Sequence, residues 1–142
     1  MDDVESHIQE LEKQIRPSIG GLGYVRLLKT MPGVGEILAA TIYPETGDAG
    51  RFASPQQLAS YAGLTPSVHA SGGKMRLGRT SAVANHYLKW AFVEAAHCAV
   101  MHKHRYPGGH VVELYQRLRG AKCHGKAAVA VGRHLAEASW WM

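Results

Sequence analysis

The feature that most restricts the fold is a run of helix-breaking residues in the middle of the chain, between residues 61 and 79. Glycine or proline occurs there five times, at Gly63, Pro66, Gly72, Gly73 and Gly78. Glycine adopts backbone conformations that other residues avoid, and proline cannot continue a helix. The sequence therefore predicts a long irregular loop here. Loops of this length in small domains are more often functional than idle.

The same loop carries hydroxyl and cationic side chains but no acid, since no Asp or Glu occurs between Asp48 and Glu94. A hydroxyl on a glycine turn, with cations beside it, suits an approaching phosphate. The alternative interpretation is a solvated basic turn that joins two helices. The residues that would contact a phosphate are Ser71, Gly72, Gly73, Lys74, Arg76 and Arg79.

Apolar residues recur at helical spacing in every other long segment, which predicts an all-α fold: a compact helical domain with at most a vestigial sheet. A short strand could occur only at Phe52-Ala53 or Leu64-Thr65. The central core helix is predicted to begin at a Thr80 or Ser81 cap and to reach about His102, with Val83 and Tyr87 among its apolar positions. Further helices are predicted over residues 24–31, 36–43, 55–63, 111–118 and 126–141.

The first sixteen residues place an apolar seam on an otherwise charged helix. Val4, Ile8, Leu11 and Ile15 follow a 4-3-4 spacing, which aligns them along one side. Two heptads do not form a stable helix alone in water. Residues 1–16 are therefore predicted to be the end of a longer coiled coil, or a helix that pairs with a second chain. Pro17 is predicted to end this helix, and Pro44 a later one.

A Gly-apolar-Gly turn, Gly33-Val34-Gly35, precedes a helix rich in small residues. This pattern resembles the helix-hairpin-helix motif, in which the glycines allow a tight turn and leave amide N–H groups pointing outward at a helix N-terminus. Such amides hold a DNA phosphate without reading sequence. The alternative is an ordinary turn between two helices.

The charge distribution indicates a polyanionic partner. The 142-residue chain has a net charge of +5, and five of its eleven acids lie in residues 1–16. Fourteen bases and six acids remain in the rest, a net charge of +8, which is typical of nucleic-acid binding. The two cysteines form no CxxC pair, as expected of reduced thiols in the cytoplasm. No apolar run approaches the roughly 20 residues of a membrane span, so no membrane partner is predicted.

Nine histidines raise the hypothesis of a metal site, but their spacing does not support it. His97, His102, His104 and His110 lie close together without a recognised ligand pattern such as HExxH, and the acids show no paired-carboxylate pattern. The sequence predicts no metal site and no cofactor in this chain.

Five parts of the chain together carry a family resemblance: Leu28 to Ala40, Phe52 to Pro66, Ser71 to Gly78, Tyr87-Leu88 with Glu94-Ala95-Ala96, and Ala128 to Leu135. They resemble the C-terminal transposase domain of insertion-sequence transposases of the one-ten, one-sixteen and nine-oh-two type. The resemblance covers about residues 24–140 and is most specific between 52 and 79. Before Tyr87, where the family usually carries a glycine, this chain has Ala84-Asn85.

The resemblance implies a DNA recombinase, a bacterial enzyme of the cytoplasm and nucleoid that acts on DNA as a homo-oligomer, guided by an element-encoded bridge RNA. It implies a RuvC-like domain with acidic divalent-metal ligands, then a coiled coil, then this domain. We expect the RuvC-like domain to be absent from this chain, so that residues 1–16 are the end of the coiled coil, residues 24–142 are the C-terminal transposase domain, and the isolated chain is inactive.

Ser71 matches the serine nucleophile of that family. Ser67 is the competing serine, but it follows Pro66 in turn-like sequence and lacks flanking glycines. His69 could act as a base if it faces Ser71. The alternative function is a non-catalytic helix-hairpin-helix module that binds DNA and dimerises.

Overall fold

The computed structural model describes residues 2–142, apart from the side chains of Asp2 and Leu77, and it confirms a mostly helical domain. Two 3₁₀ turns, at Ala49–Arg51 and Lys103–Arg105, connect longer elements. The elements are α1 (Asp2–Gly20), α2 (Gly23–Leu28), α3 (Glu36–Thr46), α4 (Pro55–Tyr61), β1 (Pro66–Ser71), β2 (Lys74–Thr80), α5 (His86–Met101), α6 (His110–Ala121) and α7 (His124–Ser139).

Helix α5 is the centre of the fold and packs against α3, α6 and α7. Small residues allow close approach: Ala91, Ala95 and Ala99 of α5 are fully buried. A side chain at Gly132 of α7 would stand 3.1 Å from the Phe92 carbonyl oxygen. The predicted central core helix is thus confirmed, with helices packed at backbone contact distance.

The start of α5 differs from the prediction. Its N-cap is Asn85, whose Oδ1 accepts a hydrogen bond from the Leu88 N–H at 3.0 Å, because an Asn side chain satisfies an otherwise unpaired donor of the first turn. Val83 and Tyr87, predicted to face the core, are 92% and 67% exposed. Thr80 belongs to a strand and not to a helix cap.

Both predicted proline stops are wrong. Pro17 lies inside α1 and Pro44 inside α3. A proline removes one backbone hydrogen bond and kinks a helix, but the helix can resume after it. Helix α1 continues to Gly20, and Ser18 Oγ donates to the Gln14 carbonyl at 3.2 Å. Helix α3 ends two residues after Pro44, before Gly47 with its positive φ of 61°.

The apolar seam of α1 is exposed to solvent. Val4, Ile8, Leu11 and Ile15 are each about half exposed or more, from 47% to 66%. The seam is therefore a surface that this chain does not cover within the part that the structure describes. No helix in this part is both long and apolar enough to cross a bilayer.

The predicted irregular loop is wrong over residues 66–80, where the chain forms an antiparallel β-hairpin of β1 and β2. The two glycines do not interrupt a strand but form the turn between two strands. The prediction that a short strand could occur only at Phe52-Ala53 or Leu64-Thr65 is also wrong, because both strands lie later in the chain.

Candidate nucleic-acid interface

The tip of the β-hairpin is a two-residue glycine turn. Ser71 pairs with Lys74 across it, and Gly72 and Gly73 have φ angles of 56° and 76°. Two consecutive positive φ angles define the type I′ turn, whose twist matches that of the strands. Residues with side chains adopt this conformation at a cost, so glycine is the suitable residue at both positions.

The hairpin has one polar and one apolar face. Side chains alternate along a strand, and directly paired residues share a face. Ser71 therefore shares its face with Lys74 and with the pair His69–Arg76. The opposite face carries Val68 and Met75, which are 55% and 73% exposed. The structure thus brings Ser71 together with two of the three predicted cations.

The third cation, Arg79, lies at the other end of the hairpin. It lies within the irregular part of the strand pairing and stands about five residues, or roughly 17 Å, along the strands from the turn. Lys74, Arg76 and Arg79 are exposed. Among the residues that the structure describes, none of the three forms an ion pair, so their charge is free for a ligand.

Ser67 and Ser71 have different surroundings. Ser67 Oγ donates to the Arg79 carbonyl at 2.9 Å, and His69 Nε2 lies 3.4 Å from the same oxygen. Since the Ser67 proton is committed to Arg79, His69 acts as the donor toward Ser67. A Cβ at Gly78 would meet Ser67 Oγ, so a side chain there would require the Ser67 side chain to move. Ser67 therefore closes the irregular part of the hairpin.

Ser71 is exposed, and its hydroxyl makes no hydrogen bond within the described residues. His69 lies on the same face, but the contact recorded for its ring is with Ser67. The environment that the structure gives to Ser71 is a free hydroxyl with Lys74 as its cross-strand neighbour.

A polar network surrounds the start of α5, and one of its hydrogen bonds reaches the base of the hairpin. The Asn85 N–H donates to the Tyr61 carbonyl at 2.9 Å, and Asn85 Nδ2 donates to Glu45 Oε2 at 2.6 Å. Lys89 Nζ donates to Thr80 Oγ1 at 2.8 Å. Sequence reasoning missed this network, because Glu45 lies 40 residues from Asn85. Its only local sequence signal is the preference of Asn85 for a helix N-cap.

Arg51 adds a positive charge beside this network. Its guanidinium lies 4.6 Å from the centroid of the Phe52 ring and 4.7 Å from that of the Tyr61 ring, within the range of cation–π attraction. The hydrogen bond from Asn85 to the phenolic oxygen, together with Arg51, lowers the pKa of Tyr61 below its ordinary value.

The helix-hairpin-helix turn is less open than its sequence predicts. Val34 is buried, and Gly33 has a φ of 80°. A Cβ on Gly33 would collide with the Ala95 carbonyl oxygen of α5, and the Gly33 N–H donates to Tyr106 Oη at 3.3 Å. The predicted outward-pointing amide at Gly33 is therefore wrong: Gly33 allows close packing on α5.

Gly35 is the open part of this turn. It is the N-cap of α3, and a Cβ there would have no atom within 4 Å. The adjacent Glu36 places a carboxylate in the first turn, with Arg16 Nε at 3.7 Å. This acid already complements the helix dipole, so a phosphate at the same helix end would meet a negative charge.

The two predicted DNA-contacting segments lie near opposite ends of α5. Gly33 packs on Ala95 and approaches Ala99, whereas the chain that leaves the hairpin enters α5 at its N-cap, Asn85. At a rise of 1.5 Å per residue, these positions are separated by roughly 18 Å along the helix axis. A nucleic acid would contact them at different phosphates.

The histidines form pairs on the helices. His97 stacks on His124 with ring centroids 4.9 Å apart, and His110 Nε2 lies 3.1 Å from His134 Nε2. Among the described residues, no three His, Cys, Asp or Glu side chains are placed to hold a metal ion. Burial and the nearby Glu94 carboxylate raise the pKa of the Cys98 thiol.

Comparison with known proteins gives a family. The profile of the Transposase IS116/IS110/IS902 family matches residues 25–109, which contain the turn at Gly33, the hairpin and α5. A protein of Pseudomonas aeruginosa named "Probable family 20 transposase" is 32% identical over 100 residues, 70% of this chain and 30% of the relative.

Two other relatives match over most of this chain. The 43.6 kDa protein of insertion element IS110 from Streptomyces coelicolor is 32% identical over 131 residues, 92% of this chain and 31% of the relative. The transposase for insertion sequence element IS1328 from Yersinia enterocolitica is 25% identical over 133 residues, 94% and 40% of the two chains. The chain spans about a third of the length of the curated relatives it matches.

Proposed function

The chain belongs to the Transposase IS116/IS110/IS902 family, and on that premise we propose that residues 24–142 form the C-terminal domain of a transposase in which Ser71 attacks DNA during strand exchange. One observation carries the proposal: Ser71 stands at the tip of a projecting hairpin with its hydroxyl unpaired and Lys74 directly across from it. Ser67, by contrast, has its hydroxyl engaged within the hairpin.

The chemistry assigned to Ser71 is transesterification. Its Oγ forms a bond to phosphorus, the bond to one deoxyribose oxygen breaks, and that oxygen takes up a proton as the serine proton leaves. Attack by the hydroxyl of a second strand reverses the step and frees the serine. Lys74 and Arg76 share the face of Ser71 and would stabilise the charge that develops on the phosphate oxygens.

The base for Ser71 is assigned to another part of the full-length protein. A serine hydroxyl is a weak nucleophile without activation, and His69 is engaged with Ser67. The face around Ser71 offers cations and an imidazole but no carboxylate, so its donors do not fit a divalent metal. We assign the metal to a RuvC-like domain outside the given sequence, and no step here is derived through it.

The partners proposed for the full-length protein are DNA, a guide RNA and further copies of the same chain, acting in the bacterial cytoplasm at the nucleoid. In this arrangement Gly72, Gly73, Lys74, Arg76 and Arg79 contact DNA at the hairpin. Gly33, Val34 and Gly35 take part as the turn that positions the N-terminus of α3.

The test is a strand-exchange assay of a full-length transposase that contains this domain. Ser71→Ala is expected to abolish recombination and any covalent protein–DNA adduct. Ser67→Ala, the matched control, is expected to keep both within a few-fold, because it removes only a hydrogen bond inside the hairpin. Recombination by the Ser71→Ala protein would show that the nucleophile is another residue.

A second candidate function is a non-catalytic module that binds DNA and dimerises. The exposed seam of Val4, Ile8, Leu11 and Ile15 favours the dimerisation part. Sedimentation of the chain with and without residues 1–16 tests it: a seam that pairs two chains predicts a more monomeric truncated protein. Normal recombination by the Ser71→Ala protein, with loss of activity on truncation, would favour this candidate.

A further inference from the structure

A second basic region lies away from the hairpin, in the segment from the end of α5 to the start of α7. Residues 102–126 contain six Lys or Arg residues and a single acid, Glu113. All six cations are exposed, and none forms an ion pair within the described residues. They are Lys103, Arg105, Arg117, Arg119, Lys122 and Lys126.

Two of these cations line a groove of about 540 Å³ between the end of α5 and helix α6. Lys103 stands on the α5 side and Arg119 on the last turn of α6, with Gln116 beside Arg119. Val100 and Val112 provide apolar surface between them. The groove thus combines cations, an amide and an apolar floor.

The wall of this groove is fixed by contacts with α5 and α7. Tyr115, another lining residue, is only 4% exposed, and its hydroxyl hydrogen-bonds to His124 Nδ1. The His124 ring in turn stacks on His97 of α5, with an interplanar angle of 12°. Three helices therefore hold the surface in place, so a ligand would not have to order it.

The groove is separate from the hairpin. Val100 lies fifteen residues after Asn85, roughly 22 Å along α5. Val100 and the turn at Gly33 lie toward the same C-terminal end of α5, since Gly33 packs on Ala95 and contacts Tyr106. One nucleic acid would need to be long, or folded, to reach both the groove and the hairpin tip.

We propose that this groove binds the phosphodiester backbone of a nucleic acid at a site distinct from the hairpin. Lys103 and Arg119 would contact phosphates, since guanidinium and ammonium groups bind phosphate strongly. The apolar floor at Val100 and Val112 would accept the sugar and the edge of an unstacked base. The proposal rests on the nucleic-acid-binding part of the proposed function and is independent of the chemistry of Ser71.

The same cations could instead attract an acidic peptide, such as the N-terminal segment of a second chain. A nucleic acid is favoured because the groove offers both cations and apolar surface. These suit a backbone in which phosphates alternate with sugars. The acidic segment carries an apolar seam whose residues are 47% to 66% exposed. If this segment bound the groove through its acids, the charged walls of the groove would not cover that seam.

The test measures fluorescence anisotropy of the 142-residue chain with a labelled single-stranded DNA, the same sequence as duplex DNA, and as single-stranded RNA. Arg119→Gln is compared with Arg117→Gln, a matched control on the same helix, equally exposed and outside the groove. The Lys103→Gln/Arg119→Gln double variant extends the series, and thermal unfolding verifies that each variant is folded.

Arg119→Gln is expected to weaken binding about tenfold at low salt and to reduce the slope of log K against log salt by about one. Arg117→Gln is expected to weaken it about twofold or less, through long-range charge alone. The probe for which Arg119→Gln binds more weakly than Arg117→Gln shows whether the groove binds DNA or RNA.

Equal losses for the two variants would overturn the groove, because only net charge would then matter. Absence of nucleic-acid binding by the wild type would also overturn it. So would a result in which Arg119→Gln weakens binding only to an acidic peptide of residues 1–16. A Lys74→Gln/Arg76→Gln variant separates the two sites. If it binds normally while Arg119→Gln does not, the groove stands and the hairpin contact fails.

Discussion

The contact between α5 and α7 differs from the β1–β2 hairpin in what holds the residues in place. In the helical pair, Ala91, Ala95 and Ala99 are fully buried, and Gly132 meets a backbone carbonyl across the interface. In the hairpin, Val68 and Met75 are mostly exposed, and Ser71 has no hydrogen-bond partner within the described residues. Packing therefore restricts which side chains fit in the contact between α5 and α7. In the hairpin, outside its turn and its base, packing leaves the side chains available for contact with a partner.

The largest effect is expected at Gly33, on the helical side of this comparison. Gly33→Ala combines a positive φ with a collision against the Ala95 carbonyl. It should destabilise the fold by about 4 kcal/mol or more and lower the melting temperature by about 10 °C. Gly35→Ala, with no atom near its Cβ, should change stability by less than about 1 kcal/mol. Similar melting curves for both variants would contradict this.

A smaller and local effect is expected in the hairpin turn. Gly73→Ala introduces a side chain at a φ of 76°, which costs about 1–2 kcal/mol. Since the contacts described for the hairpin are mainly those between its own two strands, the loss should appear as faster hydrogen exchange of β1 and β2 amides, with the melting temperature of the helical part unchanged. Gly125→Ala, within α7, serves as the control. A large fall in melting temperature would mean that hairpin and helices unfold together.

The two serines of the hairpin should differ by about 1 kcal/mol. Ser67→Ala loses the hydrogen bond to the Arg79 carbonyl, which contributes about 0.5–1.5 kcal/mol to the local stability of the hairpin. Ser71→Ala loses no hydrogen bond of the described structure. Hydrogen exchange of the hairpin amides should therefore accelerate in the first variant and stay unchanged in the second. The reverse order would place the structural role at Ser71.

The smallest effect concerns two tyrosines of the helical part, Tyr24 on α2 and Tyr61 at the end of α4. Burial raises the pKa of Tyr24, which donates to the Ser139 carbonyl, whereas Asn85 and Arg51 lower that of Tyr61. Spectrophotometric titration should show a tyrosinate that forms below pH 10 and disappears in Tyr61→Phe, and a late one that disappears in Tyr24→Phe.

Stability should follow the same signs. Because the folded protein retains the Tyr24 proton above the ordinary pKa, the contribution of this group is complete below pH 10 and is lost as pH rises through the folded pKa. Tyr24→Phe should remove that alkaline component from the free energy of unfolding measured with urea. An unchanged alkaline slope would contradict the assignment.

The sequence predicted the helices well because apolar periodicity dominates them, and it failed where local signals compete. Pro17 and Pro44 were read as stops, although one lost hydrogen bond did not end either helix. The hairpin was missed because five breakers suggested an irregular loop. The available signal was the two-residue turn Gly72-Gly73 between alternating apolar positions, Val68 and Ala70 before it and Met75 and Leu77 after it.

The site was only partly accessible to sequence reasoning. Ser71 and Lys74 are close in the chain, so local pattern could join them. A Cβ at Gly33 would collide with Ala95, which lies 62 residues away in the chain. The contact between Glu45 and Asn85 spans 40 residues. The sequence around Gly33 or Glu45 does not indicate the partner residue, because both contacts depend on how α3 and α5 cross. The groove between α5 and α6 likewise exists only after the helices pack.

The hairpin acts mechanically as a lever whose fulcrum is its base. The hydrogen bond from Lys89 Nζ to Thr80 Oγ1 holds that base, while the arm beyond it is roughly 17 Å long at 3.3–3.4 Å per residue. A tilt of about 10° at the base would carry Ser71 through about 3 Å at this arm length. A displacement of that size decides whether an attacking oxygen is in reach of its phosphorus. If Ser71 acts on DNA as proposed, the domain sets the reach of this arm, and a macromolecule that contacts its sides would set the final alignment.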